Sequence, residues 1–247
     1  MKPRVLITGA GYFDTPEKAN LLFIWARLIE YHSADCDVVV LDCCGPLKAS
    51  AILPGYDAFD AEEYSPPIFG EHTRPLRRVY RMPTNQGHPL VAEEPMRDSN
   101  WMIGTAIANG YDYHVGVEAD CLLVRPVRQA VDLMEKTGVR FTMPFEMINQ
   151  FAETQIVIAH VPWLKSVRFA ERMTELYRPK ELMQELLLEK TFKDDLFWMP
   201  WRGFRNDCDS VTPENLRQTL RHGCDFISHC KDFRVYVEFL AMNGLAL

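Results

Sequence analysis

The chain has 247 residues, with 27 lysines and arginines against 34 aspartates and glutamates and a formal net charge of −7. Its hydrophobic share of 47% and charged share of 25% are ordinary globular values, which exclude a disordered, collagen-like or coiled-coil chain. An acidic chain is also not one that mainly covers nucleic-acid phosphates, so we expect no nucleic-acid partner.

The sequence contains no apolar run of the roughly 18 residues that a membrane span requires. The most apolar stretch, residues 21–29, is interrupted by Arg27, and the apolar run at residues 5–7 is too short for a signal-peptide core. The seven cysteines are odd in number and include the adjacent Cys43 and Cys44, a pattern that does not indicate a disulfide framework. We therefore expect a reduced, cytoplasmic protein with no transmembrane segment, and peripheral membrane contact stays open.

Strands and helices are predicted to alternate along the chain. A β-branched run at residues 5–8 predicts the first strand, and Thr15 with Pro16 and Glu17 predicts the N-terminus of the first helix. The further predictions, in chain order, are a strand at 37–41, an irregular stretch at 50–71, a strand at 78–82, a mobile loop at 84–95, a helix at 98–109, strands at 113–117 and 121–124, a helix at 127–136, strands at 139–143 and 155–159, helices at 162–177 and 179–190, a segment broken at Pro200, Gly203 and Pro213, a helix at 214–222, a strand at 226–228 and a C-terminal helix.

This alternation predicts an α/β fold with a Rossmann-type, mainly parallel sheet flanked by helices. Ligands of such sheets bind beyond the carboxyl ends of the strands. The candidate functional residues are therefore the polar residues and glycines at predicted strand ends, namely Gly9 and Gly11, Asp42, and Glu118 with Asp120.

The glycines after the first strand are typical of a dinucleotide site. Gly9 and Gly11 would let the backbone approach a pyrophosphate, and Asp42 ends the second strand, where such folds place a ribose-binding acid. The start resembles an extended short-chain dehydrogenase, but Asp14 occupies the third glycine position and the chain contains no Tyr-x-x-x-Lys. An NAD(P)-dependent oxidoreductase is thus one alternative, and a tight turn that requires glycine explains the same residues.

Two carboxylates follow the strand predicted at 113–117. Glu118 and Asp120 are one residue apart, and alternate residues of an extended chain face the same side, so both can serve one ion. Oxygen ligands of this kind hold Mg²⁺ or Mn²⁺, usually together with substrate phosphates. A solvated acidic turn is the other interpretation.

The residues before this pair strengthen the metal interpretation. A helix carrying Asn100 leads through a turn at Gly110 into the acidic strand. This order resembles that of GT-A-type glycosyltransferases, in which such a helix precedes an Asp-x-Asp strand. The resemblance implies that Asp120 binds the metal, that Asn100 lies at the donor site, and that Glu118, which replaces the usual first Asp, meets the ribose or the ion.

A segment near the C-terminus extends the resemblance. Several GT-A families carry a C-terminal His that completes the metal shell and a nearby Lys on the diphosphate, and His229 and Lys231 match this arrangement. Imidazole is an acceptable Mn²⁺ ligand, and an ammonium group offsets charge on a leaving diphosphate. Cys224 and Cys230 do not indicate zinc, because the chain has no Cys-x-x-Cys pair.

The resemblance also implies an acceptor-activating base. In an inverting enzyme Asp195 or Asp194, which follow a predicted helix, would deprotonate the acceptor hydroxyl. In a retaining enzyme the relevant residue would lie near the donor sugar, where Glu153 and Gln155 are the candidates. The sequence does not choose between these outcomes.

The sequence is thus expected to encode one GT-A-like catalytic domain over residues 1–247, with a nucleotide-binding part at about 1–125 and an acceptor-side part at about 126–247. We expect a metal-dependent glycosyltransferase that uses Mn²⁺ or Mg²⁺, a nucleotide-diphosphate-sugar donor and a glycan or other hydroxyl acceptor. Thr8 and Asp42 would lie near the base or ribose. A nucleotidyltransferase and an inactive binding module of the same fold are further alternatives.

Overall fold

The computed structural model describes residues 2–62, 65–83, 97–146, 151–152, 155–176, 188, 190–205, 225–228 and 233–245. The strands are β1 Val5–Gly11, β2 Asp37–Asp42, β3 Asp57–Asp60, β4 Arg77–Arg81, β5 Tyr113–Val117, β6 Leu122–Leu123, β7 Phe141–Glu146, β8 Phe151–Ala152, β9 Ile156–His160, β10 Leu196–Arg205 and β11 Phe226–Ser228. The helices are α1 Pro16–His32, α2 Ala49–Ile52, α3 Arg97–Ala108, α4 Val127–Thr137, α5 Val161–Ser166, α6 Phe169–Leu176 and α7 Phe233–Met242.

The strands form one sheet in the order β3-β4-β2-β1-β5-β9-β7-β10-β11-β6, with β8 paired to β7 beside this path. Strands β3, β4, β2, β1 and β5 are mutually parallel, as are β7, β10 and β11. Strand β9 runs antiparallel to both β5 and β7, so these two groups point in the same direction. The predicted α/β fold with a mainly parallel sheet is confirmed.

Helices cover both faces of the sheet. Apolar side chains of α1, α4 and α7 pack in one core against one face, and those of α3, α5 and α6 pack against the other. Burying both faces explains why β2 reads as a continuous apolar run, since a central parallel strand has no solvent-facing side.

The connection from β1 to α1 is fixed by the residues that the sequence singled out. The Thr15 hydroxyl accepts a hydrogen bond from Lys18 N at 3.3 Å and caps α1, which begins at Pro16. Gly9 lies under this helix, and a Cβ there would be 2.8 Å from the Trp25 ring and 2.9 Å from Val117 O. Glycine is therefore required at this position because α1 packs directly on the backbone of β1.

The structure differs from the predicted elements in three places. Helix α2 and strand β3 lie in the stretch predicted as irregular, and the helix predicted at 162–177 is divided into α5 and α6 at Arg168, whose φ is 51°. Strand β10 continues through Pro200 and Gly203, because an irregularity between Met199 and Arg202 absorbs the break in the ladder. The loop predicted at 84–95, most of the helix at 179–190 and the helix at 214–222 lie outside the described residues.

Within the part of the chain that the structure describes, no helix combines the length and apolar character needed to cross a membrane.

Candidate functional site

The end of β5 and the start of β9 meet at the carboxyl edge of the sheet. Val117, the last residue of β5, pairs with Ile156, the first of β9, and the next amide, Glu118 N, donates to Gln155 O at 2.9 Å. Because β9 is antiparallel to β5, the residue before β9 is brought beside the residues after β5. Glu118, Asp120 and Gln155 are thereby collected at one point.

A single amide group contacts both carboxylates. Gln155 Nε2 donates to Glu118 Oε2 at 3.1 Å and to Asp120 Oδ1 at 3.3 Å. The Gln155 side chain is only 1% exposed, whereas Glu118 is exposed and Asp120 half-buried. The backbone of this turn is held as well, since Cys121 N donates to Glu118 O at 2.9 Å and Tyr236 Oη donates to Asp120 O at 3.0 Å. The two acids therefore point at one location from a fixed turn.

This arrangement fits a divalent cation. Carboxylate oxygens are the ligands that Mg²⁺ and Mn²⁺ prefer, and Glu118 and Asp120 already converge on one hydrogen-bond donor. Among the described residues no group of three or more His, Cys, Asp or Glu side chains forms a closed metal cage. Mg²⁺ commonly takes one or two carboxylates and completes its shell with water and phosphate, so two suffice for such a site. The predicted His229 and Lys231 lie outside the described residues.

Asp42 is enclosed and bonded within the protein. It is 1% exposed, and its carboxylate accepts hydrogen bonds from Cys44 N at 3.0 Å, Ala49 N at 3.0 Å and Arg81 Nη1 at 2.8 Å. These bonds fix the turn after β2 and join it to the neighbouring strand β4. All three donors belong to the protein itself, and the predicted place of Asp42 near the base or ribose stays a prediction.

Thr8 is also enclosed. Its Oγ1 lies 2.8 Å from Nε2 of His114 on the adjacent strand β5, and both side chains are buried. Burial lowers the pKa of His114 to about 4, so the ring is neutral at neutral pH. Thr8 lies within the sheet and lines a cavity, and its predicted place near the base or ribose stays a prediction.

Asn100 lies on α3 as predicted but faces a helix. Its Nδ2 donates to Thr174 Oγ1 of α6 at 2.7 Å. The side chain therefore joins two helices on the face of the sheet opposite to α1, and its predicted role at the donor stays a prediction.

The two predicted acceptor bases lie at the amino edge of the sheet. Asp194 and Asp195 are exposed and immediately precede β10, whose first residue, Leu196, pairs with Phe141 at the start of β7. Strands β5 and β7 point the same way, so these acids lie at the amino edge while Glu118 lies at the carboxyl edge. The five residues of β5 alone separate the edges by roughly 16 Å. This separation does not support an action beside Glu118, and the predicted role of these two acids as acceptor bases stays a prediction.

Packing accounts for the second glycine of the dinucleotide-like turn. A Cβ on Gly11 would lie 2.6 Å from the Phe13 ring and 3.3 Å from the Ala119 Cβ, so the position is filled by the protein itself. Together with the packing of Gly9 on α1, this removes the observation on which the oxidoreductase alternative depended.

The buried His114 predicts a loss of stability in mild acid. Its pKa is about 4 in the folded protein and about 6.5 when unfolded, so the unfolded chain binds the extra proton between these values. The contribution to stability is complete above pH 6.5 and falls as the pH drops towards 4. Urea unfolding at pH 7 and pH 4.5 measures how far the free energy of unfolding drops between these two values. This drop should be about 2.5 kcal/mol smaller in His114→Gln than in the wild type. Equal losses in both proteins would contradict this linkage.

Known structures share this architecture. The chain aligns with the galactosyltransferase LgtC in complex with donor and acceptor sugar analogs at a TM-score of 0.51 and 10% identity, covering 98% of this chain and 95% of that one. TarS of S. aureus in complex with UDP-GlcNAc aligns at a TM-score of 0.52 and 12% identity, covering 97% of this chain and 72% of that one. The glycosyltransferase GlyE of Streptococcus pneumoniae aligns at a TM-score of 0.56 and 10% identity, covering 98% of this chain and 62% of that one.

No protein-family profile and no curated protein matches the sequence significantly. At a sequence identity of 10–12%, the likeness to these solved structures shows the fold alone. The likeness extends over nearly the whole chain. The chain has the GT-A fold of the glycosyltransferases.

Proposed function

We propose that the protein is a glycosyltransferase that moves a sugar from a nucleotide-diphosphate donor to a hydroxyl acceptor with the help of Mn²⁺ or Mg²⁺. The observation that carries the proposal is the convergence of Glu118 and Asp120 on Gln155 Nε2 at the carboxyl edge of a glycosyltransferase fold. Ligands of open α/β sheets bind at this edge, and hard cations bind to such oxygens.

Each residue of the cluster has a distinct part in the proposal. Asp120 and Glu118 would hold the cation, and the buried Gln155 is a positioning residue that keeps their oxygens together. When bound, a divalent cation acts as a Lewis acid that offsets the negative charge of the departing diphosphate. The roles of His229 as a further metal ligand and of Lys231 as a contact of the diphosphate stay predictions. The identity of the acceptor base also stays a prediction.

The neighbours support a nucleotide-sugar donor and a sugar acceptor. TarS was solved with UDP-GlcNAc, and LgtC with donor and acceptor sugar analogs. We extend both chemistries to this chain as part of the proposal. The described free thiols, Cys36, Cys43, Cys44 and Cys121, support a reducing compartment, so the proposal includes a cytoplasmic location.

Thermal unfolding with a nucleotide panel tests the proposal. UDP, GDP, ADP and dTDP would each be added with and without Mn²⁺, with UMP as the ligand that lacks a diphosphate. At a concentration 100 times its dissociation constant, the correct nucleotide should stabilise the protein by about 2.7 kcal/mol, which raises Tm by roughly 5–10 °C. The shift should require Mn²⁺ or Mg²⁺.

Four other results would contradict parts of the proposal. No shift with any nucleoside diphosphate would exclude a donor site, and a shift with NAD(P) alone would restore the oxidoreductase alternative. Binding of a nucleotide sugar without release of the free diphosphate across an acceptor panel would favour an inactive binding module. Release of pyrophosphate from a nucleoside triphosphate and a sugar phosphate would identify a nucleotidyltransferase.

A further inference from the structure

A narrow cavity extends inward from the acidic cluster. Its upper walls include Glu118 and Gln155, and it continues along the face of the sheet covered by α3, α5 and α6 down to His114. Glu118 and His114 are four residues apart on the same strand side, so the cavity is roughly 13 Å deep. It therefore reaches from the proposed cation site into the protein interior.

Missing side-chain volume creates this cavity. Gly116 lies on β5 between His114 and Glu118, and a Cβ built there would meet only His114 Cε1, at 3.7 Å. Ala10 and Ala159 contribute small walls on the neighbouring strands. The free volume is about 70 Å³, room for about five water-sized spheres at ~10–15 Å³ each. An acetamido group, with four non-hydrogen atoms, matches this volume.

The chemistry of the walls favours a group that is partly apolar. Most of the lining consists of aliphatic and aromatic side chains, to which water or a sugar hydroxyl bonds poorly. The deepest polar atoms are those of the Thr8 and His114 pair, and the Gln155 amide lies at the mouth. An acetamido group offers a methyl to the apolar walls and an N–H and a C=O to a polar group at one end of the cavity.

We propose that the cavity receives the acetamido group of an N-acetylhexosamine donor, so that the enzyme selects N-acetylated sugars over plain hexoses. This inference rests on the proposed function, because it places the donor sugar beside the Glu118 and Asp120 site. Gly116 is then the residue that determines specificity, since any side chain there occupies the acetamido position.

Calorimetric titration in the presence of Mn²⁺ tests the inference. UDP, UDP-N-acetylglucosamine and UDP-glucose would be titrated into the wild type, Gly116→Val and Gly55→Val. UDP-N-acetylgalactosamine and UDP-galactose would be titrated in the same way, to test donors with the galactose configuration. Gly55 is the control, because a Cβ there meets nothing within 4 Å and Gly55 does not line the cavity. Valine suits a strand position, and Gly116→Ala is the smaller substitution should the valine variant fail to fold.

The wild type should bind at least one N-acetylated donor 10-fold or more tightly than the matching hexose donor. Gly116→Val should reduce this ratio to about one with the affinity for UDP unchanged, and Gly55→Val should keep it. The alanine variant should reduce the ratio part of the way.

Other results overturn the inference in distinguishable ways. UDP binding without any preference for N-acetylated donors, or a preference that persists in Gly116→Val and Gly116→Ala, overturns the inference and leaves the proposed function standing. Binding of a different nucleoside diphosphate and of neither UDP donor does the same. Absence of binding by every nucleoside diphosphate overturns both.

Discussion

Replacing Asp120 by alanine lowers kcat by at least ~10³ in the proposed reaction, because roughly 4 kcal/mol of leaving-group stabilisation is reasonable for a cation that this carboxylate holds. The side chain converges with Glu118 on Gln155 Nε2, so its removal leaves one of the two carboxylates at the site. Initial rates of nucleoside diphosphate release at saturating donor, acceptor and Mn²⁺ measure the effect. The cation-dependent thermal shift by the nucleoside diphosphate that binds should disappear in the same variant.

Asp57→Ala is the control for this experiment. Asp57 is an exposed carboxylate on the edge strand β3, remote from the carboxyl turn of β5, and its removal should leave kcat unchanged. Full activity of the Asp120 variant, or full activity of the wild type in excess chelator, would contradict the cation mechanism. Urea unfolding of each variant separates a loss of chemistry from a loss of fold.

The sheet could be predicted where the signal is local. Strand β2 is buried at all six residues and reads as a continuous apolar run, and α1 is preceded by its Thr15 cap. Strand β3, in contrast, is exposed at all four residues, so it has neither an apolar run nor an alternation of buried and exposed side chains. It is a strand because it pairs with β4, and that pairing is not visible in its own sequence.

The candidate site shows the same limit. The proximity of Glu118 and Asp120 could be predicted, because both residues directly follow β5. Their closeness in space follows from their closeness in sequence. The contact with Gln155 depends on the antiparallel pairing of β9 with β5, a long-range property. The position of Asp195 at the amino edge could not be predicted for the same reason, since the direction of β10 decides at which edge it lies.

Asp42→Ala should destabilise the protein by about 3 kcal/mol without acting on the reaction directly. The substitution removes the acceptor of two backbone amides, Cys44 N and Ala49 N, and leaves the Arg81 guanidinium, whose side chain is 23% exposed, without its carboxylate partner. Breaking a buried pair in this way typically costs 3–5 kcal/mol, and the partial exposure of Arg81 places the effect at the lower end. Urea unfolding at pH 7 measures it.

The matched control is the same substitution at Asp14, whose ion pair with Lys18 is exposed on both sides and should contribute less than ~1 kcal/mol. A double-mutant cycle of Asp42→Ala with Arg81→Ala should give a coupling of roughly 1–3 kcal/mol. A carboxylate that binds the ribose would behave differently. Its removal would lower the affinity for the nucleotide and leave the unfolding midpoint unchanged. That pattern would restore Asp42 to the donor site, whereas a lower midpoint with unchanged affinity for UDP in the folded fraction identifies it as the anchor between β2, α2 and β4.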